Sequence, residues 1–136
     1  MESDLETALL LHQVPLFAEL SPEALLPVAR LSSYRMLAPD ERLFEQGSFG
    51  DALFVVVDGL LRIEQEGRLL ARLGKGETVG EMAVLDWQPR SASVIAEQAS
   101  TLLRVERNDL IDLLQEEPAL LRSLLTLLSR RIRAIG

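Results

Sequence analysis

Gly74-Lys75-Gly76-Glu77-Thr78-Val79-Gly80-Glu81-Met82-Ala83-Val84-Leu85-Asp86-Trp87-Gln88-Pro89-Arg90-Ser91-Ala92-Ser93-Val94-Ile95-Ala96 is the stretch on which the reading of this chain turns. It breaks a strand-like pattern twice. Gly80 marks a sharp turn into a short apolar segment, Met82 to Leu85. That length suits one helical turn, whose free backbone N–H groups attract an anion. Pro89 stops the turn and a strand follows. Arg90 has the strand parity of Ala92, Val94 and Ala96, so if those residues face inward, Arg90 does too. A guanidinium cannot shed its charge, and burying it unpaired is costly. The position therefore calls for an anion, and two sources stand open. One is Glu81 or Asp86, which would make Arg90 a staple of its own loop. The other is a ligand, and a guanidinium fork beside a helix start suits phosphate. Glu81 taken alone has the bland reading of a surface carboxylate.

Around this stretch, residues 33–106 read as short strands cut by turns. The breaks fall at Ala38-Pro39-Asp40, Gln46-Gly47-Ser48, Asp58-Gly59, Glu66-Gly67, Gly74-Lys75-Gly76 and Gln88-Pro89. Their spacing is roughly the 8–12 residues of an all-β sandwich or barrel. Phe54-Val55-Val56-Val57 is rich in β-branched residues. Leu61 and Ile63 alternate with Arg62 and Glu64; Leu69, Ala71 and Leu73 alternate around Arg72; Thr101, Leu103 and Val105 alternate around Arg104. Residues 4–31 read as helical. Ser21 is a good N-cap with Pro22 at the first helical position, and Pro27 predicts a second helix that is short, kinked or ended early. Residues 108–135 are helical again. Asn108 is placed to cap one helix and Pro118 to open another, on which Leu121, Leu124, Leu125, Leu128, Ile132 and Ile135 recur at helix spacing. With no βαβ alternation, a parallel doubly wound sheet is not expected. The fold class expected is mainly β: an antiparallel, jelly-roll-like β-roll with N-terminal helices and two C-terminal helices. We expect a single domain over 1–136, divided into N-terminal helices over 1–31, the roll over 32–106 and C-terminal helices over 107–136.

Composition narrows the chemistry. The chain has 136 residues, 14 basic against 21 acidic, for a net charge of −7. Apolar residues make up 48%, enough for a core. An acidic domain with one lysine, Lys75, is poorly suited to wrap nucleic acid or to dock on anionic lipid. There is no cysteine, hence no thiol nucleophile, iron–sulfur cluster or cysteine zinc site. His12 is the only histidine, which excludes a multi-histidine metal site and puts a cupin-type enzyme last among the readings. No apolar run approaches the roughly 18 residues of a membrane span, and the acidic N-terminus is unlike a signal peptide. These features predict a soluble, cytoplasmic binding module and no enzyme.

The stretch from Val79 to Val94 resembles the phosphate-binding cassette of cyclic nucleotide-binding domains, found in catabolite-activator-type regulators, protein kinase A regulatory subunits and cyclic nucleotide-gated channels. Val79-Gly80-Glu81-Met82-Ala83-Val84 and Pro89-Arg90-Ser91-Ala92-Ser93-Val94 carry the resemblance, with nine residues from Glu81 to Arg90. It extends over Leu16 to Ser21, over Gln46-Gly47, Asp51, Leu53 to Val56 and Gly59, and over Leu102 to Leu114 with the Pro118 helix. Val79 replaces the usual aromatic, Met82 replaces leucine, and Glu77 stands where the family often has aspartate. The resemblance implies a cyclic nucleotide as ligand and no cofactor. It implies that Arg90 holds the exocyclic phosphate oxygen, that Glu81 accepts the ribose 2′-hydroxyl and that Gly80 admits the backbone to the sugar. Backbone N–H groups of Met82 or Ala83, and of Ser91 or Ala92, would complete the cradle. Ser91 does not separate cAMP from cGMP, and the expectation puts cAMP first.

The function expected is thus a regulatory module that relays ligand binding through its C-terminal helices to an effector. The catabolite-activator type would follow the last helix with a DNA-binding helix-turn-helix; these residues themselves are expected to contact no nucleic acid. The alternative is a ligand-free interaction domain of the same fold. Leu120, Leu124, Leu127 and Leu128 cannot all face one small roll, which predicts a homodimer seam on the last helix or cover from Leu5, Leu9 and Leu10. His12 is expected on a helix surface or satisfied near the core, Trp87 as a partial cover or interface residue, and Arg130, Arg131 and Arg133 as a solvated helix end.

Overall fold

The β part of the chain spans Ser32–Arg107, and the residues up to Leu31 join those from Asn108 onward in a separate helical part. The structure, a computed structural model, describes residues 3–86 and 88–135. Trp87 lies outside the described residues, as do the side chains of Ala83, Val84, Leu85 and Ile135.

Eight strands form the β part: β1 (Ser33–Leu37), β2 (Arg42–Phe44), β3 (Ala52–Asp58), β4 (Leu60–Gln65), β5 (Arg68–Gly74), β6 (Thr78–Val79), β7 (Ser93–Ala96) and β8 (Ser100–Glu106). They make two four-stranded antiparallel sheets, in the orders β1-β8-β3-β6 and β2-β7-β4-β5. Leu37, Phe54, Val56 and Leu102 of the first sheet meet Leu43, Leu61, Val94 and Ala96 of the second in one apolar core. The valine-rich run is a central strand buried on both faces, since Leu53 and Val55 are as inaccessible as Phe54 and Val56.

Each break expected from Gly, Pro and Asp separates two elements. The Gly59 turn shows why. Its φ is 113°, and a side chain there would run into Ser100. Ser100 Oγ accepts from the Leu60 amide at 3.1 Å and donates to the Gln98 carbonyl at 2.9 Å, so it cannot move aside freely. Alternation misleads in β5, where Leu69 and Leu70 are exposed. This strand lies at the edge of its sheet, so its periodic side chains lack a facing layer.

In the helical part, α1 (Asp4–His12) is capped by Ser3, whose Oγ accepts from the Glu6 amide at 3.2 Å. A 3-10 turn over Pro15–Phe17 leads to α2 (Pro22–Leu31), capped by Ser21 through the Ala24 amide at 3.2 Å. Pro27 does not end α2: the helix runs on to Leu31. An internal proline costs about 3 kcal/mol, and burial of Leu25, Val28 and Ala29 on one face offsets it. His12 is half-buried, its Nδ1 2.7 Å from the Leu20 carbonyl. After β8, α4 (Arg107–Glu116) begins one residue before Asn108, so Asn108 lies within its first turn and is not its cap. Pro118 does open α5 (Pro118–Ile135). On α5 the buried stripe is Leu120 and Leu124, while Leu121, Leu125 and Ile132 are exposed. Leu5 and Leu9 of α1 are exposed as well, so α1 does not cover the surplus leucines. Among the described residues no helix is long and apolar enough to cross a membrane.

The chain is therefore mainly antiparallel β-structure with helices before and after it. Between the sheets' last connections lies one short helix, α3 (Glu81–Asp86), where the broken stretch predicted a single turn.

Candidate functional site

The loop between β2 and β3 grips the segment before β7 by its backbone. The Arg90 amide donates to the Ser48 carbonyl at 2.6 Å, and the Gly47 amide donates to the Arg90 carbonyl at 2.8 Å. Side chains extend the grip. Ser93 Oγ accepts from the Gln46 amide at 2.8 Å, and Gln65 Nε2 donates to the Ser91 carbonyl at 3.0 Å. Strand β7 starts only at Ser93, so strand parity is not what turns Arg90 inward; these loop bonds do it.

Arg90 is 5% exposed. Its Nη1 donates to the Gly80 carbonyl at 3.0 Å and its Nη2 to the Ala52 carbonyl at 3.1 Å. The guanidinium carbon lies 4.0 Å from the centre of the Phe44 ring, and Phe44 leans on Phe54 with centroids 6.4 Å apart. Nε has no acceptor among the described residues. Two carbonyls thus engage a group with five N–H donors.

No carboxylate among the described residues lies within ion-pair distance of Arg90; Glu81 and Asp86 do not staple it. Asp51 raises the Arg90 pKa from a distance, but burial is the stronger influence and lowers it. The Asp51 carboxylate itself accepts from Arg104 Nη2 at 3.0 Å, and Arg104 also pairs with Glu106. The site is a buried cation held by dipoles and a ring face, without a bonded counter-ion.

Glycine makes room for it twice. Gly80 has φ 94°, and a Cβ there would stand 2.6 Å from Arg90 Nη1 and 3.1 Å from the Ala52 carbonyl. Gly50 takes no left-handed conformation, yet a Cβ on it would run into the guanidinium. Glu81, the first residue of α3, is 1% exposed, so the bland reading of a surface carboxylate fails. Met82 is half-exposed, Ser91 is exposed and Ala92 is buried.

Of the residues singled out in the sequence, the structure brings Gly80 and Arg90 into direct contact and places Glu81, Met82, Ser91 and Ala92 on the segments that run from them. Sequence reasoning missed Phe44, Gly50 and the Ala52 carbonyl. Gly50 left one faint signal, a second glycine three residues after Gly47. Phe44 left none, because an aromatic in a short strand reads as core.

Two antiparallel sheets, a buried arginine without a bonded counter-ion and a short helix that follows a glycine make up this region. The comparisons identify it more closely. The family model described as cyclic nucleotide-binding domain matches residues 34–117, and the chain belongs to that family. It is 36% identical, over 88% of its length, to the cyclic AMP receptor protein of Thermus thermophilus, of which it spans 57%. The crystal structure of the Thermus thermophilus catabolite activator protein matches 89% of this chain and 59% of its own at a TM-score of 0.80 and 36% identity. The N-terminal domain of a Streptomyces coelicolor transcriptional regulator is 33% identical, with a TM-score of 0.73, over 93% of this chain and 92% of that one. Of seven further curated relatives the chain spans only 16–28%.

Proposed function

We propose that the chain binds a cyclic purine nucleotide, cAMP ahead of cGMP, and acts as a regulatory module and not as an enzyme. The carrying observation is Arg90, buried, charged and without an ion-pair partner among the described residues. A phosphate supplies the anion that this position lacks, and charge-assisted hydrogen bonds to it contribute about 1.5–3 kcal/mol each. In this reading Arg90 holds the exocyclic phosphate oxygen, Gly80 admits the sugar and Glu81 accepts the ribose 2′-hydroxyl. Backbone N–H groups of Met82 or Ala83, and of Ser91 or Ala92, complete the cradle. The name of the Thermus thermophilus relative supports cAMP as the first ligand to test.

The chain spans only part of most curated relatives, which supports a module that passes its state to an attached effector. We place the relay in the C-terminal helices, with residues 1–136 acting together. The surface of α5 favours a second copy of the chain as partner. Leu121, Leu125, Leu128 and Ile132 recur with spacings of four, three and four residues, the a/d seam of a two-stranded coiled coil. No nucleic-acid contact is assigned to these residues.

Calorimetric titration with each cyclic nucleotide tests the reading. Binding with a stronger response to cAMP is expected. The absence of both heat and thermal shift with either would favour the ligand-free interaction domain.

A further inference from the structure

We propose that Phe44 is a positioning residue for the ligand-binding cation, its ring face holding the Arg90 guanidinium in place where other proteins would set a carboxylate. The proposal rests on the cyclic nucleotide reading above and goes beyond it by naming what keeps the arginine ready.

A buried guanidinium needs electrostatic support. A carboxylate would supply it, but would also neutralise the charge and compete with the phosphate for the N–H groups. An aromatic face is different. Its quadrupole attracts a cation within about 6 Å of the centroid and offers no lone pair to occupy the donors. Arg90 sits at 4.0 Å from Phe44, well inside that range. Two carbonyls, Gly80 and Ala52, set the orientation of the group within its plane. The ring sets its height, and the missing side chain at Gly50 leaves it room. Phe44 is itself immobilised, as the last residue of β2, packed against the core and tilted at 40° to Phe54. Every contact named here lies within Ser32–Arg107.

The test uses the whole chain with Phe44 replaced by 4-fluoro-, 3,4,5-trifluoro- and pentafluorophenylalanine, which progressively weaken and finally reverse the quadrupole while nearly keeping the ring's shape. Phe44→Leu and Phe44→Tyr complete the set. Affinity for cAMP should fall stepwise along the fluorinated series, by roughly three- to thirtyfold in total. Phe44→Leu should match the end of that series, and Phe44→Tyr should stay near the wild type. A flat series overturns the proposal, whatever Phe44→Leu does, and it still decides if Phe44→Leu fails to fold. Melting temperatures of the ligand-free proteins separate this failure from failure of the functional reading. They should fall along the series in the parent chain and stay level in an Arg90→Met background. If neither nucleotide binds, the functional reading is lost, and the melting series alone decides the stack: equal slopes in both backgrounds overturn it.

Discussion

Arg90 and the last helix break the same rule in opposite directions. Arg90 carries a full charge at 5% exposure, while Leu125 and Ile132 lie 59% and 70% open to solvent. Single exposed leucines are ordinary; a buried charge without a bonded counter-ion, or an apolar stripe at coiled-coil spacing, is not. Each marks a demand that the described residues leave to something else. At Arg90 the demand is for an anion of small size, because the cation is enclosed by carbonyls and a ring. On α5 it is for an extended apolar surface, because the stripe follows the helix over three turns. The comparison teaches that the proposed ligand and the proposed partner call on different physics, the first on electrostatics in a desolvated seat and the second on area.

The α5 half of the comparison is the easier to break. Leu125→Glu with Ile132→Glu should convert a dimer into a monomer, a loss of about 3–6 kcal/mol per protomer if each buried side chain is worth roughly 1.5–3 kcal/mol. Both residues are exposed in one chain, so the monomer should keep its melting behaviour. Sedimentation velocity reads the outcome, and an intact chain that stays monomeric at high concentration removes the seam. Leu124 is unsuitable for this experiment, since it is 2% exposed and a charge there would disturb the helical part itself.

At the other end, Arg90→Ala should weaken cyclic nucleotide binding by about 2–4 kcal/mol through loss of the charged fork. The ligand-free melting temperature should fall only modestly, because loss of the ring contact and of two carbonyl hydrogen bonds is offset by relief of the buried charge. A large fall in that temperature without ligand would mean that Arg90 mainly holds the Gly80 and Ala52 carbonyls together.

Gly80→Ala sharpens the same region by backbone strain. A non-glycine residue at φ 94° costs about 1–3 kcal/mol, and its Cβ would press on Arg90 and the Ala52 carbonyl. Urea denaturation should show the loss, and nucleotide affinity should fall with it. Gly76, at φ 86° with nothing within 4 Å of its missing Cβ, supplies the control that separates strain from collision.

The smallest effect is expected at Glu81. Glu81→Gln should cost about 1 kcal/mol of cAMP affinity, since an amide oxygen accepts more weakly than a carboxylate. The cost should vanish with 2′-deoxy-cAMP. Equal losses for the two ligands would show that Glu81 does not meet the ribose.

The sequence by itself determined the turns, the strand-rich middle, the helices before and after it, and the segment that holds the site. Those features depend on local chemistry: glycines at 47, 59, 67, 76 and 80 in left-handed backbone, serine caps at the starts of α1 and α2, and Arg90 following Pro89. It could not say which leucines of α5 are buried, because a stripe wider than one face fits several packings and only the tertiary contacts select Leu120 and Leu124. Pro27 leaves α2 short, at ten residues, without ending it, because burial on one face outweighs the local penalty, and β5 was misjudged because edge position cancels a local pattern. The seat of Arg90 was the least legible part. Phe44, Gly50 and Ala52 join residues 80 and 90 only after the β2–β3 loop closes on the segment before β7, and backbone carbonyls carry no sequence signature at all. Whether Arg90 would find a carboxylate or keep its charge for a ligand was a matter of which atoms come within 4 Å, and only the folded chain decides that.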